Sequence, residues 1–166
     1  MIKEEQPHIF FLQETKCSSI TLGNILSRAW PDCHSVVVDA SGASGGLAIA
    51  WNTQAIMLTD IHASHHIIQA TFHIIGINIH GHLTNVYFPQ EAGNKIVVLN
   101  TIEALNLNRV HPLWIMGGNY NMITRLEEKQ GGRARLEQVD TYFKEFIQNN
   151  SLIEMQFCNG THTWSN

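Results

Sequence analysis

The chain has 166 residues, of which 44% are hydrophobic and 14% are charged. This hydrophobic share excludes intrinsic disorder, which requires low hydrophobicity and high net charge, and no apolar run approaches the roughly 20 residues of a transmembrane helix. The formal net charge of −4 argues against a broadly basic nucleic-acid-binding protein.

Cysteine spacing and the N-terminal residues indicate the cellular compartment, and the lack of repeats and linkers indicates the number of domains. Cys17, Cys33 and Cys158 are scattered without C-x-x-C spacing, which argues against both a disulfide framework and a zinc site. The N-terminal segment MIKEEQP lacks the apolar region of a signal peptide, which predicts an intracellular protein. Because no repeat or Pro/Gly-rich linker divides the sequence, we expect residues 1–166 to form a single domain.

The predicted elements begin with a short buried strand and a helix. The strand is the apolar run His8–Leu12, which is too short and too rich in β-forming residues for a helix. Ser18-Ser19 can cap a helix that ends before Pro31, and Val36–Val38 then predicts a second strand.

A glycine-rich segment, Ser41–Gly46, leads directly into the predicted strand Leu47–Trp51. Glycine-rich loops can cradle phosphates, but this one lacks a Gly-Lys-Ser/Thr ending and precedes a strand rather than a helix. We therefore interpret it as a tight turn between two strands.

The second half of the chain changes from strands to alternating helices and strands. Three strands at 67–72, 74–79 and 83–88 are predicted to form an antiparallel meander. Helices are predicted from about Gly93 to Asn106 and from about Leu136 to Asn149, on either side of a buried strand at 113–116. The expected core positions of these helices are Ile96, Leu99, Ile102, Leu105, Val139, Phe143, Phe146 and Ile147. This order indicates a layered α+β fold.

Polar clusters follow three of the predicted strands. They are Gln13–Thr15, Tyr87–Gln90 and Gly117–Asn121. Each cluster taken alone is typical of a solvated strand end or a turn, since Gly and Asn tolerate positive φ. A strand end is also a rigid platform on which a loop can present functional groups.

The clusters together carry a more specific resemblance. The ordered segments FLQETK, GGLAIAW, NVYFPQ, WIMGGNYNMI and THTWSN resemble the endonuclease/exonuclease/phosphatase family, most closely the apurinic-type endonuclease domain of plant LINE retrotransposons. The resemblance implies a layered α/β-sandwich of the DNase I-like type. By the same resemblance the domain would be incomplete at both ends, without its first strand and its C-terminal strands.

The resemblance also implies roles for individual residues. Glu14 matches the family's metal-binding Glu, so it would hold Mg²⁺, a hard cation that prefers oxygen ligands and keeps most of its waters. Tyr87 matches the Tyr whose hydroxyl contacts the scissile phosphate, and Asn121 matches an Asn that donates a hydrogen bond to that phosphate. Gln90 stands where the family often has Asn.

Asn119 departs from the family pattern. It occupies the position of the catalytic Asp that orients or deprotonates the attacking water, and an amide cannot accept that proton. The His-bearing segment with which the family ends would also follow Asn166.

The implied ancestral function is Mg²⁺-dependent nicking of DNA, with the nucleus as a plausible location, and catalysis is expected to be impaired or absent. An active phosphodiesterase, a non-catalytic nucleic-acid-binding remnant and a retroelement fragment without a selected function remain open.

Several basic residues follow the polar cluster Gly117–Asn121. Arg125, Lys129, Arg133 and Arg135 lie within eleven positions, where they can meet a DNA backbone. Interleaved acidic residues at 127, 128 and 137 nearly cancel this charge, so a solvated loop remains the alternative.

Histidine is unusually frequent, with ten residues that equal the total of Lys and Arg. On a strand, His80 and His82 would project from the same face, and His73 lies on a neighbouring predicted strand. No carboxylate or cysteine completes a metal-binding set, so we expect these to be partly exposed strand histidines. His65-His66 is predicted to form a turn.

Overall fold

The computed structural model describes residues 7–42, 44–107, 109–128 and 136–155. Its elements are β1 (Ile9–Gln13), α1 (Ser19–Ala29), β2 (Cys33–Ser41), β3 (Ser44–Asn52), β4 (Ile56–Ala63), β5 (Ile67–Ile74), β6 (Ile79–Tyr87), α2 (Ala92–Asn106), β7 (Trp114–Asn119), a short 3₁₀ turn (Leu126–Glu128) and α3 (Gln138–Asn149). None of the helices in these ranges is both long enough and apolar enough to cross a membrane.

The strands form two sheets. The first sheet has the order β1-β3-β2 and is antiparallel, and the second has the order β4-β5-β6-β7. In the second sheet β4, β5 and β6 form the predicted antiparallel meander, whereas β7 joins β6 in parallel. The parallel pairing is possible because α2 carries the chain back between β6 and β7. As a result, β6 and β7 end at the same edge of the sheet.

Side chains of β3 point alternately to the two faces of the first sheet, and both faces are packed. Leu47, Ile49 and Trp51 face the second sheet, where they meet a cluster that includes Phe72 and Leu83. The intervening positions are alanines, 48 and 50, and they pack against α1. Small residues on this face let the helix approach closely. The two sheets and the helices therefore form an α/β/β/α sandwich, which confirms the predicted layered fold.

The outer core lies between the second sheet and the helices α2 and α3. Its buried members are Ile67, Val86, Phe88, Val98, Leu99, Ile102, Trp114, Phe143 and Phe146. Leu99, Ile102, Phe143 and Phe146 confirm predicted core positions. On α2, however, the buried stripe is Lys95, Val98, Leu99 and Ile102, so the predicted core positions Ile96 and Leu105 are wrong and are only partly buried. This stripe puts a lysine among the buried residues.

One predicted strand is wrong. Residues 74–79 do not form a strand, because Ile74 ends β5, Ile79 begins β6, and the residues between them form the connecting turn. Gly76 adopts φ +89° in this turn, a left-handed conformation that glycine adopts without a steric penalty. Isoleucines at both sides of the glycine gave an apolar pattern that hides the turn.

Candidate functional site

The three predicted polar clusters meet at one edge of the sandwich. Tyr87 and Asn119 are register partners at the ends of β6 and β7, and Phe88 N donates to Asn119 O over 2.9 Å. Glu14, just after β1 of the other sheet, lies near enough to the Tyr87 hydroxyl for its negative charge to raise the pKa of that phenol. The structure therefore brings together the predicted residues Glu14, Tyr87, Asn119 and Asn121, which we call the polar end.

Local backbone contacts determine where Glu14 lies. Its φ of +50° turns the chain sharply after β1, and Thr15 N and Lys16 N donate to Gly46 O and Gly45 O at 3.3 and 3.1 Å. A Cβ at Gly46 would overlap Thr15 Oγ1. The glycine-rich segment is thus a tight turn, as predicted, and it also supports the Glu14 loop. The Glu14 carboxylate is 42% exposed and lies 3.5 Å from Lys16 Nζ.

A buried amide network joins the two sheets behind the polar end. Asn85 is fully buried. Its Oδ1 accepts a hydrogen bond from Gln13 Nε2 over 2.5 Å, and its Nδ2 donates to Leu12 O and Ala48 O at 3.2 and 2.8 Å. These contacts hold β1 against β6, so they set the distance between Glu14 and Tyr87. No sequence motif marked Asn85 for this role, although a lone Asn in an apolar strand is a signal for it.

The loop after β7 is held by three hydrogen bonds. Asn121 adopts φ +51°, its N donates to Asn119 Oδ1 over 3.1 Å, and its Nδ2 donates to Phe88 O over 2.7 Å. The buried Lys95 donates from Nζ to Asn121 O over 2.6 Å. A positive charge therefore lies beneath the loop, and no sequence signal had marked Lys95 as part of the site.

Burial and charge raise the pKa of the Tyr87 phenol. Burial is the larger cause, and the negative charge and hydrogen bond of Glu14 add to it. The Tyr87 hydroxyl consequently keeps its proton at neutral pH and remains a hydrogen-bond donor. Such a donor beside a carboxylate and amides can bind an anionic oxygen.

The polar end offers a divalent cation only a few protein ligands. Glu14 is the one carboxylate among its four residues, and in the described ranges no three His, Cys, Asp or Glu side chains form a ready metal site. Mg²⁺ is compatible with so few ligands, since it often binds through one or two carboxylates and retains several waters. The residues fit a largely hydrated Mg²⁺ held by Glu14, without a second carboxylate.

Two histidines border the polar end. Tyr87 N donates to His66 O over 3.0 Å, and His66 Nδ1 lies 2.8 Å from Tyr87 O. Burial lowers the pKa of His66, the Tyr87 hydrogen bond raises it and His65 lowers it, with a net decrease. The predicted turn at His65-His66 is confirmed, but the sequence did not show that it lies beside Tyr87.

The structure describes one of the four residues that were predicted to contact nucleic acid. Arg125 is paired with Glu128 at 3.2 Å and with Glu154 at 3.0 Å, so its charge is already balanced by two carboxylates. Lys129, Arg133 and Arg135 lie outside the described residues, as does the THTWSN segment.

No protein-family model and no curated protein sequence matches this chain. Solved structures do match its fold. The endonuclease domain of TRAS1, a telomere-specific non-LTR retrotransposon, has a TM-score of 0.65 at 12% identity, over 90% of this chain and 62% of its own. An endonuclease/exonuclease/phosphatase family protein from Bacteroides thetaiotaomicron has a TM-score of 0.56 at 16% identity, over 73% and 51%. The human Nocturnin catalytic domain has a TM-score of 0.52 at 14% identity, over 72% and 53%.

These likenesses confirm the fold that the motifs predicted. The chain has the DNase I-like sandwich of endonuclease/exonuclease/phosphatase proteins, and it spans between about half and about three fifths of the length of these three structures.

Proposed function

We propose that this chain is a phosphodiester-binding domain of the endonuclease/exonuclease/phosphatase type that binds DNA with Mg²⁺ and has impaired hydrolytic activity. The observation that carries the proposal is the convergence of Glu14, Tyr87, Asn119 and Asn121 from three strands of two sheets at one edge. Among the matching structures, TRAS1 is a retrotransposon endonuclease domain, which supports DNA as the ligand.

The donors of the polar end suit a phosphate group. The Tyr87 hydroxyl is a protonated donor at neutral pH, and the buried Lys95 adds positive charge beneath the Asn121 loop. Because amide and hydroxyl donors in fixed positions need no rearrangement to bind an anionic oxygen, they stabilise it efficiently. When bound at Glu14, Mg²⁺ would neutralise charge on the phosphate and on the leaving oxygen.

Asn119 limits what this arrangement can catalyse. Its Oδ1 already accepts the hydrogen bond from Asn121 N, and the remaining NH₂ group is a donor that cannot take a proton from water. Loss of a general base reduces rates by about 10² to 10⁴. The same feature favours a second candidate function, nucleic-acid binding without catalysis.

The test combines DNA binding with plasmid nicking. We expect the purified chain to bind DNA with an affinity that Mg²⁺ increases and salt decreases, and to nick supercoiled plasmid slowly or not at all. Glu14→Gln should remove the Mg²⁺ effect, whereas Glu145→Gln, an exposed position on α3, should leave it unchanged. Arg133→Ala with Arg135→Ala should weaken binding if the basic segment contacts the backbone.

Asn119→Asp tests whether the missing carboxylate alone accounts for the impaired hydrolysis. We expect this single substitution not to restore nicking, because the polar end as described contains no histidine that contacts the phosphate. Efficient Mg²⁺-dependent nicking by the native chain would contradict the impairment, and the absence of measurable DNA affinity in the native chain would contradict the proposed function itself.

A further inference from the structure

His66 lies opposite Tyr87, the phenol of the polar end. Ile67 and Val86 are register partners on the antiparallel strands β5 and β6, so the next pair outward is His66 with Tyr87, and Tyr87 N donates to His66 O over 3.0 Å. Opposed residues on antiparallel strands project their side chains from the same face of the sheet. Because Tyr87 packs against the apolar cluster between the two sheets, the side chain of His66 belongs to the face that carries the proposed phosphate donor.

The turn that contains His66 also lies against the glycine-rich segment. A Cβ placed on Gly45 would lie 3.5 Å from Cε1 of the neighbouring His65, so that ring covers the glycine. The carbonyl oxygen of Gly45 accepts the hydrogen bond of Lys16 N over 3.1 Å, two residues after Glu14. The turn at His66 and the Glu14 loop therefore share Gly45 as a neighbour, which places His66 at the polar end.

One hydrogen bond fixes both the ring and the tautomer of His66. Its Nδ1 lies 2.8 Å from Tyr87 O. Because a carbonyl oxygen can only accept, Nδ1 carries the hydrogen and the neutral ring keeps its lone pair on Nε2. A proton taken from solvent would enter at Nε2 and leave the bond to Tyr87 intact, since both nitrogens of an imidazolium are donors. The ring can therefore gain a charge without releasing Tyr87.

Titratable groups reach this part of the polar end from three elements. In the turn itself, the His65 ring centroid is 4.8 Å from that of His66. β6 contributes the Tyr87 phenol, which is protonated at neutral pH. The loop after β1 contributes Glu14 and Lys16, which pair with each other at 3.5 Å. Among the described residues no carboxylate forms an ion pair with His66, so a positive charge on its ring would be available to a bound anion.

His66 is neutral at physiological pH in the free chain. Burial is the main cause that lowers its pKa, His65 lowers it further, and the bond to Tyr87 opposes both. A phosphate held at Tyr87 would act in the opposite direction, because a nearby negative charge favours the protonated ring and raises its pKa. The free and the bound chain therefore differ in the charge that His66 prefers.

We propose that His66 takes up a proton at Nε2 when the polar end binds a nucleic-acid phosphate, so that the site gains a positive charge only in its bound state. The inference rests on the proposed phosphodiester binding and adds the residue through which pH controls it. His66 is a positioning residue, since it holds the end of β6 at Tyr87 and acts on the ligand through its charge. Because a proton is bound together with the phosphate, the affinity for DNA increases as the pH falls.

The first test compares DNA affinities at pH 7.5 and pH 5.5, with EDTA present so that no metal at Glu14 contributes. At pH 5.5 we expect His66→Asn to bind a DNA duplex up to about tenfold more weakly than the native chain, the factor that corresponds to a rise of about one unit in the pKa of His66. At pH 7.5 the two should bind alike, because an amide can donate to Tyr87 O as Nδ1 does. His62→Asn, the same change at an exposed histidine of β4, should follow the native chain at both pH values.

The second test follows the proton itself. NMR titration of the histidine Cε1–H signals gives the pKa of His66 with and without the DNA duplex, and the signal that disappears in His66→Asn identifies the residue. We expect DNA to raise the pKa of His66 by about one unit and to change that of His62 much less. Circular dichroism checks that both variants are folded.

The possible failures are distinguishable. Equal affinities of the native chain and His66→Asn at pH 5.5, or a pKa of His66 that DNA leaves unchanged, would overturn the inference while the proposed DNA binding stands. An equal loss of affinity in His66→Asn at both pH values would show a structural role without proton uptake and would overturn it as well. A native chain that binds no DNA at either pH would contradict the proposed function and, with it, this inference.

Discussion

The two ends of β6 differ in what holds their functional groups in place. At the polar end, Glu14 and Asn121 lie in loops with positive φ, and backbone groups of neighbouring strands and turns support them. At the opposite end of β6, His73, His80 and His111 are held mainly by contacts between their own rings. The same strand therefore connects a site built into the backbone with one built from side chains.

This difference predicts different sensitivities. A backbone-supported site should depend on the exact conformation of a few glycines and on buried hydrogen bonds, since neither can adjust without moving strands. A cluster of imidazoles should depend on pH, which changes the charge of side chains without changing the fold.

Gly118→Ala should be the most damaging change at the polar end. Gly118 adopts φ +141° on β7, and a Cβ there would overlap Val86 O of β6. Because the obstacle is backbone, the two strands would have to separate, and we expect a loss of about 3–5 kcal/mol in the free energy of unfolding. Urea denaturation measures this loss.

The matched control is Gly23→Ala on α1, where no atom lies within 4 Å of the new Cβ and alanine should stabilise the helix by up to about 1 kcal/mol. Equal stability of both variants would contradict the strand constraint.

Asn85→Ala should have the next largest effect. The substitution removes three hydrogen bonds between the sheets, one buried and two partly buried, and leaves Gln13 Nε2 without its partner. We expect a loss of about 2–3 kcal/mol, since an unsatisfied buried donor costs its full desolvation energy. Asn94→Ala is the control, because the hydrogen bond of Asn94 to Glu91 is exposed and its loss should cost less than about 0.5 kcal/mol. An Asn85→Ala protein as stable as the native chain would show that packing alone joins the sheets here.

Mild acid should have the smallest effect on stability, and it should act through histidines whose pKa is lowered in the folded chain. The pKa values of His80 and His82 are lowered in the folded chain, so below the ordinary histidine pKa of about 6.5 the unfolded chain binds more protons. Stability should therefore be complete above pH 6.5 and decrease as the pH falls below it. Urea midpoints at pH 7.5, 6.5 and 5.5 measure the slope of stability against pH.

The double variant His80→Gln/His111→Gln locates the pH effect. It should flatten the slope, although His66 at the polar end retains a contribution of the same sign. A slope as steep in the double variant as in the native chain would place the titrating groups elsewhere.

Local patterns were sufficient to predict much of the fold. Ser18 caps α1, accepting from Thr21 N as its position before the apolar stripe predicts, and the apolar spacing of α3 predicted its buried Phe143 and Phe146. The turn around Gly76 was missed because its neighbours are isoleucines. Lys95 was missed because a lysine within a helical stripe is usually solvated, and its burial follows only from its bond to Asn121.

The sequence by itself indicated the layered class and most of the elements, because strand and helix periodicity are local properties, and its motif order singled out the four residues of the polar end through a family resemblance. Only the tertiary structure decided which strand ends coincide. The parallel pairing of β6 with β7 aligns Tyr87 with Asn119, and the buried Asn85 brings β1 and Glu14 to them. The tertiary structure also placed His111 beside His80 and His82, which are about thirty residues away in the chain. Such contacts depend on long-range packing, which no local pattern encodes.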